Sequence, residues 1–521
     1  MASVNKSYVN TEGLEMNDMD VPKTKTESSN CYSYEEALNI TGHGRYNTAL
    51  LAACFMVILA MGIDIFGLGI IVTAATCDLG MSLREIGVLS SMPFAGIIVM
   101  SYPWGYLSDT KGRKLVLVWA MCGSFISSVV SSLAPNWQVL AASRFISAAL
   151  SSAGESATYA LLGECCNAKT RARYMLLITS VLMLTPTLYY IWGYFIMKLN
   201  FSYSLSIITL RPWRLLTLVM ALPLGVAALM LYFLHESPKF LANVRRSDEA
   251  IEVLKKIYIV NGGKEEFPVK QLYIEDENTE EVGKVSLRSL WTQIAPLFKP
   301  PLLGRTMLLY YLTFVVYIAN NSFAIILPTI FNVFFQSYAS SDAGAGFCSL
   351  FAEGSTNETI SDVTVVETSE CTNTIEDNTI WAGCAHGVSF FVLNVLISFV
   401  AGRRKVLTIV ILVIAAAAAI AIDNTGGAIS GLVLFYVYLT TAMVFGVVSS
   451  YFVDLYPTSY RGMVACLGMM VARLSAFTGT NILSTTMTGH CTETLYGGAA
   501  LVISGAIAAS FLPSDGKELP I

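Results

Sequence analysis

The sequence predicts an all-α membrane protein with twelve transmembrane helices in two parallel six-helix halves. Of its 521 residues, 54% are hydrophobic and 13% are charged, and the mean hydropathy is +0.59. Soluble domains carry roughly 25% charged residues, so this composition favours a protein that crosses the membrane many times. Twelve apolar segments reach the length of about 20 residues that a membrane helix needs. An arginine and an acid–arginine pair also recur at one common offset, which indicates an internal repeat.

The apolar segments set the domain organisation. Numbered as spans 1 to 12, they are 49–72, 87–107, 115–133, 138–163, 174–197, 214–234, 306–334, 380–400, 406–422, 429–452, 462–484 and 496–512. We therefore expect a tail over 1–48, a first bundle over 49–234, a linker over 235–305, a second bundle over 306–512 and a tail over 513–521. Within the linker, Ile251, Leu254 and Ile257 fall on one face of a predicted amphipathic surface helix.

Basic residues predict the orientation. Lysine and arginine concentrate in the connections after spans 2, 4, 8 and 10. Because cytoplasmic loops of membrane proteins are enriched in these residues, both termini and the linker are expected in the cytoplasm. The polar connection 337–379 is then lumenal or extracellular. There Cys348 and Cys371 are expected to form a disulfide and Asn357, in an Asn-Glu-Thr sequon, to carry a glycan. The alternative is two free thiols and an unused sequon.

The repeat rests on charged residues in matching loops. Arg403 follows Arg113 by 403 − 113 = 290 residues, and Asp454 follows Glu164 by 454 − 164 = 290 residues. Each of these acids is followed seven residues later by an arginine, Arg171 and Arg461 respectively. Two halves related by an axis along the membrane normal are the arrangement of parallel-repeat transporters.

Several motifs resemble known families. The loop Gly105-x-x-x-Asp109-x-x-Gly112-Arg113-Lys114 resembles the signature between spans 2 and 3 of the major facilitator superfamily. The stretches 34–46, 236–241 and 454–462 resemble the synaptic vesicle glycoprotein 2 group and its insect relatives, with the organic ion transporters as cousins. The resemblance covers residues 34–519. It implies the major facilitator fold and transport by alternating access.

The resemblance also implies gating residues at the cytoplasmic ends of the helices. These are Gly105, Asp109, Gly112, Arg113, Lys114, Glu164, Arg171, Asp454 and Arg461. Carboxylates near helix ends meet backbone N–H groups and a positive dipole, and an arginine four or seven residues away is within ion-pair reach. We expect locks that close in one access state and break in the other, with Glu164–Arg171 and Asp454–Arg461 as pairs. The alternative is that the positive charges only anchor the topology.

Asp64 and Arg473 are charged residues within predicted spans. A mid-span Asp64 costs about 3 kcal/mol on insertion scales, so it is expected to face a cavity or a partner. Arg473, near the middle of span 11, is the expected partner. Asp64 is expected to couple transport to a proton or cation or to contact a cationic substrate, and Arg473 to bind substrate; the alternative for both is a structural ion pair. Tyr310, Tyr317 and Asn321 form one helical stripe of span 7 and are further candidates for substrate contact, with core packing as the alternative.

These features indicate a transporter and not an enzyme. A Gly-x-x-x-x-Gly-Lys nucleotide-binding loop does not occur in the sequence, and its four histidines and eleven cysteines show no metal-ligand spacing. The sequence predicts secondary transport of a small organic solute, and the arginine of span 11 favours an organic anion through its resemblance to the anion carriers. The expected partners are the solute, a coupling proton or cation and the bilayer, without cofactor, metal or nucleic acid. A monomer in the plasma membrane or in a secretory or synaptic vesicle is expected. The alternative is a non-transporting vesicle glycoprotein that regulates trafficking or exocytosis.

Overall fold

A computed structural model describes most of the chain. The described residues are 31–205, 208–273, 295–340, 346–350, 375–400, 403–425, 427–456, 458–487 and 489–513. Of the expected site residues, Cys371 and Asn357 lie outside this set. Asp454 and Arg461 lie within described helices, but their side chains are outside the described part.

The first half is a bundle of six helical spans. Span 1 combines Arg45–Phe66 and Leu68–Ala75, span 2 is Leu83–Lys111, span 3 is Arg113–Ser132, span 4 combines Trp137–Ser151 and Ala153–Cys165, span 5 is Ala168–Met197 and span 6 is Pro212–Tyr232. A short hairpin, Tyr203–Leu205 with Ile208–Leu210, separates spans 5 and 6.

The second half also consists of six helical spans. Span 7 is Leu303–Val316, a π-helix Tyr317–Asn321 and Ser322–Ser340; span 8 is Asp377–Val400, span 9 is Arg404–Asn424, span 10 combines Ala428–Leu439 and Ala442–Asp454, span 11 is Thr458–Thr486 and span 12 is Cys491–Ala509. All twelve expected spans are therefore present as helices.

Span 4 differs from the others in composition. Among the described residues, eleven helices are long and apolar enough to cross a membrane, and span 4 is outside that group. Its two helices meet at Ser152, and it carries Arg144, Glu155 and several serines. Arg144 is only 1% exposed, so the polarity of span 4 is turned toward protein and not toward lipid.

The segment before span 1 folds together with the linker. Strand Cys31–Ser33 pairs in parallel with Gln271–Tyr273, and helix Tyr34–Ile40 packs against helix Ser247–Val260 through a small hydrophobic core that includes Leu38, Leu254 and Phe267. The linker thus contains a helix at the place where an amphipathic one was expected, and its apolar face covers this core. We call residues 31–44 and 235–273 the docked module.

The bundle has two distinct ends. The basic end carries Lys111, Arg113 and Arg171, and the opposite end carries the connection between spans 7 and 8. At the opposite end the two halves are in contact: the hydroxyls of Thr73 and Thr329 are 2.8 Å apart, and Lys198 Nζ lies 3.2 Å from an Asp377 oxygen.

The hydrophobic cores at the two ends differ in whether they contain residues of both halves. Among the described residues, the hydrophobic core at the basic end of the first half contains only first-half and linker residues, such as Leu117, Leu161 and Ile257. The core at the opposite end, by contrast, includes Ile380 and Cys384 of span 8. The halves are thus packed against each other at the opposite end.

Candidate functional site

Asp64 lies in a buried polar network of the first half. Its carboxylate accepts hydrogen bonds from Ser128 Oγ (2.9 Å), Arg144 Nη1 (2.8 Å) and Ser147 Oγ (2.7 Å). The side chains of Asp64 and Arg144 are 2% and 1% exposed. A buried carboxylate is tolerated only when it is paired and hydrogen-bonded, and this one is both. The network therefore ties spans 1, 3 and 4 together.

The expected pairing of Asp64 with Arg473 is wrong. Asp64 faces the interior of its own half, where Arg144 neutralises it across 2.8 Å. Arg473, on span 11, faces the seam between the halves and pairs with Glu155 of span 4. Glu155 and Arg144 were missed, although both are charges in the middle of a span and satisfy the criterion that identified Asp64.

The Glu155–Arg473 pair is the central charge contact between the halves. Arg473 Nη2 donates to Glu155 Oε1 at 2.6 Å. The arginine side chain is 7% exposed and the glutamate side chain 28%, so the carboxylate is the more accessible partner. Arg473 Nε is buried without a hydrogen-bond partner in the described structure. This guanidinium has unused donor capacity at the middle of the bundle.

Span 7 contributes one further group to this centre. Tyr317 begins the π-helix, is buried, and interacts electrostatically with both Arg473 and Glu155. Its ring packs edge-on against Phe445 of span 10, with the centroids 5.0 Å apart. π-helical turns are rare and are often found at functional sites. The geometry therefore brings Tyr317 of the predicted stripe to the central pair.

The other two members of the stripe are placed differently. The Tyr310 hydroxyl donates to the Val464 carbonyl at 3.1 Å and its ring packs against Phe452, so this residue acts in core packing of the second half. Asn321 accepts a hydrogen bond from the Asn320 amide at 2.8 Å and is half-buried at the end of the π-helix. The stripe expected from a regular helix is interrupted because the π-helix changes the angular step between residues.

The signature loop forms an ion-pair cluster at the basic end. Arg113 Nη2 lies 3.0 Å from Asp109 Oδ1 and 3.1 Å from Glu164 Oε1. The Ser237 hydroxyl donates to the other oxygen of Glu164. Asp109, Arg113 and Glu164 were all expected at a gate. In this state their bonds remain within the first half and the docked module.

Glu236 completes the cluster from the docked module. Its carboxylate accepts the backbone N–H groups of Lys114 (2.9 Å) and Leu115 (3.3 Å), in the first turn of span 3. A negative charge at a helix N-terminus is stabilised by the free N–H groups and the helix dipole. Gly112 has φ 114°, and a Cβ there would lie 2.4 Å from a Glu236 oxygen. Glycine is thus required at this position by both conformation and contact.

The expected Glu164–Arg171 pair is also replaced. Arg171 Nη2 binds Glu35 at 2.8 Å and the Cys166 carbonyl at 3.1 Å, while Glu164 pairs with Arg113. Tyr34 of the docked module donates to the Glu164 carbonyl at 2.5 Å, and burial raises the pKa of Tyr34 well above its usual value. The partner of Arg171 is thus Glu35 of the N-terminal tail. The sequence spacing within the membrane region pointed to Glu164 instead.

Cys348 forms a disulfide with a different partner from the expected one. It is bonded to Cys491 at the start of span 12, and the two Cα atoms are 5.5 Å apart. The expected partner, Cys371, lies outside the described residues. Cys77, after span 1, is also disulfide-bonded. These cysteines lie at the opposite end, where oxidising conditions were expected.

Comparison with known proteins assigns the family. The model of the Major Facilitator Superfamily matches residues 53–360. The chain belongs to this superfamily. Among curated relatives, the rat "Synaptic vesicle 2-related protein" is 24% identical over 519 residues, covering 98% of this chain and 86% of the relative. Human "Synaptic vesicle glycoprotein 2B" is 25% identical over 255 residues, covering 47% of this chain and 36% of the relative's length.

Solved major facilitator structures share the fold. The inward-open xylose transporter XylE from E. coli is 17% identical with a TM-score of 0.63, covering 90% of this chain and 97% of that chain. A bacterial homologue of the human lysosomal transporter Spinster, inward-facing and unoccupied, is 13% identical with a TM-score of 0.55, covering 90% and 97%. The predicted fold and the predicted resemblance to synaptic vesicle glycoprotein 2 proteins are confirmed.

Proposed function

We propose that the chain is a secondary active transporter of small organic monoanions that works by alternating access. The single observation that carries the proposal is the position of Arg473. It is buried at the seam between the halves, its only described ion pair comes from the opposite half, and its Nε has no partner in the described structure. The carboxylate of a solute fits the planar fork of such a guanidinium.

The surroundings of Arg473 restrict the solute. Arg473 is the one cation at this central pair, so even with Glu155 displaced it balances a single negative charge on the solute, and a second would remain unpaired. Tyr317 and Phe445 lie on one side, and Met61 of span 1 belongs to the hydrophobic cluster that the halves share. Ligand sites in proteins combine apolar walls with few polar anchors. A monocarboxylate with an apolar or aromatic body meets both conditions.

The cluster at the basic end supplies the gating part of the proposal. With the halves packed together at the opposite end, Asp109 is exposed on 68% of its side chain, and its ion pair among the described residues is with Arg113 of its own half. In the alternate state, where the basic ends of the halves approach, Asp109 is available to the second half. We place the basic end in the cytoplasm, as the distribution of lysine and arginine predicts. A monomer suffices for this cycle, since both halves belong to one chain.

Uptake into proteoliposomes tests the proposal. We would compare radiolabelled benzoate, lactate, tetraethylammonium and xylose as aromatic anion, aliphatic anion, cation and neutral sugar. Benzoate uptake is expected to exceed that of the cation and the sugar. Arg473→Lys is expected to reduce benzoate uptake about tenfold or more, because hydrogen bonds to charged groups contribute about 1.5–3 kcal/mol and 1.4 kcal/mol is tenfold.

Arg84→Gln is the matched control, because Arg84 is an exposed arginine at the start of span 2. It is expected to leave benzoate uptake unchanged. Equal uptake by wild type and Arg473→Lys would contradict the role of Arg473. Failure to take up any of the four probes would instead favour the non-transporting vesicle glycoprotein.

A further inference from the structure

We infer that Glu155 is the proton-coupling residue and that the protein is an electroneutral proton–monoanion symporter. This inference rests on the proposed function and adds the coupling ion and the group that carries it. The key observation is that one carboxylate, from the opposite half, occupies the guanidinium that the solute needs. A solute carboxylate and the Glu155 carboxylate therefore compete for Arg473.

Charge counting links the proton to the anion. In the empty site Glu155 and Arg473 sum to zero. With an anion bound and Glu155 protonated, the sum is again zero. An anion with ionised Glu155 leaves one unpaired negative charge, and protonated Glu155 without an anion leaves Arg473 unpaired. Unpaired charge at a buried site is costly, so the halves can close around the site only when both ligands or neither are bound.

Access distinguishes Glu155 from the other buried acid. The Glu155 side chain is 28% exposed and has one described partner, whereas Asp64 is 2% exposed and its carboxylate receives three hydrogen bonds. The exposed fraction of the Glu155 side chain is large enough for a proton to be exchanged there without dismantling the first half. Asp64 and Arg144 remain paired throughout the cycle and hold spans 1, 3 and 4 together.

The charged groups around Glu155 are few. Arg473 and Cys466 of span 11 and Tyr317 of span 7 interact electrostatically with it. On span 1, Asp64 is neutralised by Arg144. Toward the basic end, Asp109 and Glu164 both pair with Arg113. Among the described residues, Arg473 is therefore the cation that Glu155 contacts, and protonation of Glu155 frees the Arg473 guanidinium for the solute.

The glutamine variant tests the coupling. The side chain introduced by Glu155→Gln has the shape of the protonated acid without its exchangeable proton, so this variant is expected to bind and exchange benzoate independently of pH. In wild type, initial benzoate uptake is expected to rise up to about tenfold for each pH unit that the outside is made more acidic, as one-proton linkage requires. An inward proton gradient is expected to drive accumulation in wild type and not in Glu155→Gln.

Two controls accompany this variant. Glu493→Gln changes an exposed glutamate of span 12 and is expected to retain proton-driven accumulation. Because Glu155→Gln leaves Arg473 with a weaker partner and could fail to fold, the wild-type protein is also measured alone. There, the benzoate uptake in excess of that into protein-free liposomes, through which benzoic acid itself diffuses, is expected to bring in one proton per anion, read with an internal pH-sensitive dye. This excess is expected to be unaffected by a potassium–valinomycin membrane potential.

The outcomes separate the two proposals. Benzoate uptake that follows membrane potential, or moves no proton, overturns the coupling inference and leaves the anion transporter intact. The same holds if an inward proton gradient still drives benzoate accumulation by the Glu155→Gln variant. Wild type that takes up none of the four probes overturns the proposed function, and the coupling inference with it.

Discussion

At the scale of single residues, buried charges determine which side chains can be substituted without loss of stability. Asp64 is the clearest case, because its removal leaves the fully buried Arg144 without its counter-charge. Breaking a buried pair by removing one partner costs about 3–5 kcal/mol. Asp64→Asn is therefore expected to lower the apparent Tm of the purified protein strongly, measured by thermal unfolding in detergent.

The control for this prediction is Asp423→Asn, because Asp423 is an exposed aspartate at the end of span 9. It is expected to leave the Tm unchanged. The double variant Asp64→Asn with Arg144→Gln removes both charges. It is expected to recover part of the decrease in Tm, since no buried charge then remains unpaired. A Tm for Asp64→Asn equal to that of Asp423→Asn would show that Asp64 does not carry an ion pair.

Sequence reasoning identified isolated charges better than their partners. The cost of a charge in the membrane identified Asp64 and Arg473, and both are buried. The partners depend on how each helix is rotated and on which neighbour it packs against, and this information is not contained in spacing along one helix. Arg144 lies 80 residues from Asp64 and Glu155 lies 318 residues from Arg473. Only the assembled bundle brings these residues together.

At the scale of elements, glycines permit close approach of the halves at the opposite end. A Cβ at Gly87 of span 2 would lie 1.9 Å from Ser484 Oγ of span 11. A Cβ at Gly383 of span 8 would lie 2.1 Å from the Tyr190 ring of span 5. Both seams join the two halves, so larger residues there oppose closure of this end.

The resulting prediction concerns Gly87→Ala. The Ser484 hydroxyl can rotate away, but the added methyl group would also lie 2.7 Å from Ser484 Cβ, which rotation does not move. Span 2 therefore has to shift away from span 11, and the population is expected to shift away from the state closed at the opposite end. A cysteine placed at Ser484 should react faster with a membrane-impermeant maleimide in the Gly87→Ala background. Gly497→Ala is the matched control, because a Cβ at this helical glycine meets nothing within 4 Å. Equal labelling in both backgrounds would contradict the prediction.

The docked module gives a prediction for pH. His235 stacks on the Tyr46 ring, with centroids 6.0 Å apart, and burial, then Lys256 and Lys114, lower its pKa. The unfolded chain then binds the proton more readily than the folded protein, so stability falls as pH drops below the ordinary histidine pKa of about 6.5. His235→Gln is expected to flatten the decrease of Tm between about pH 7 and 5.

The control for the module is His490→Gln, because the side chain of His490 is 72% exposed. This variant is expected to keep the wild-type dependence of Tm on pH. A wild-type Tm that is constant over this range, or a His235→Gln slope equal to that of the wild type, would contradict a role of His235 in docking.

Among the elements, the spans could be predicted from the sequence, but their internal breaks and the docking of the N-terminal segment could not. Hydropathy located all twelve spans, because each has to present apolar side chains to lipid over its length. It did not show the breaks at Gly67 and Ser152, the π-helix at Tyr317–Asn321 or the docking of residues 31–44 on the linker. Those features arise from packing between helices, which a count of apolar residues along the chain does not record.

At the scale of the whole molecule, the fold implies two halves that rock about the central pair. Glu155–Arg473 joins described residues of the two halves at the middle, and Lys198–Asp377 and Thr73–Thr329 join them at the opposite end. Opening this end therefore requires the last two contacts to break. The first half, by contrast, is held by its buried network and by the docked module, and it is expected to move as one body.

A reversible cross-link tests this motion. Thr73 of span 1 and Thr329 of span 7 face each other across the halves, with their hydroxyl oxygens 2.8 Å apart. Cysteines at both positions would place two sulfur atoms where these hydroxyls now meet, and a short shift would bring them to the S–S bond length of about 2.05 Å. In Thr73→Cys with Thr329→Cys, oxidation is expected to abolish benzoate uptake by locking the opposite end, and reductant to restore it. The single variants and wild type receive the same oxidant and reductant, because the native Cys348–Cys491 bond is also exposed to them. A double variant that is cross-linked, as shown by mass spectrometry, and still transports at the wild-type rate would rule out separation of spans 1 and 7 as a step of the cycle.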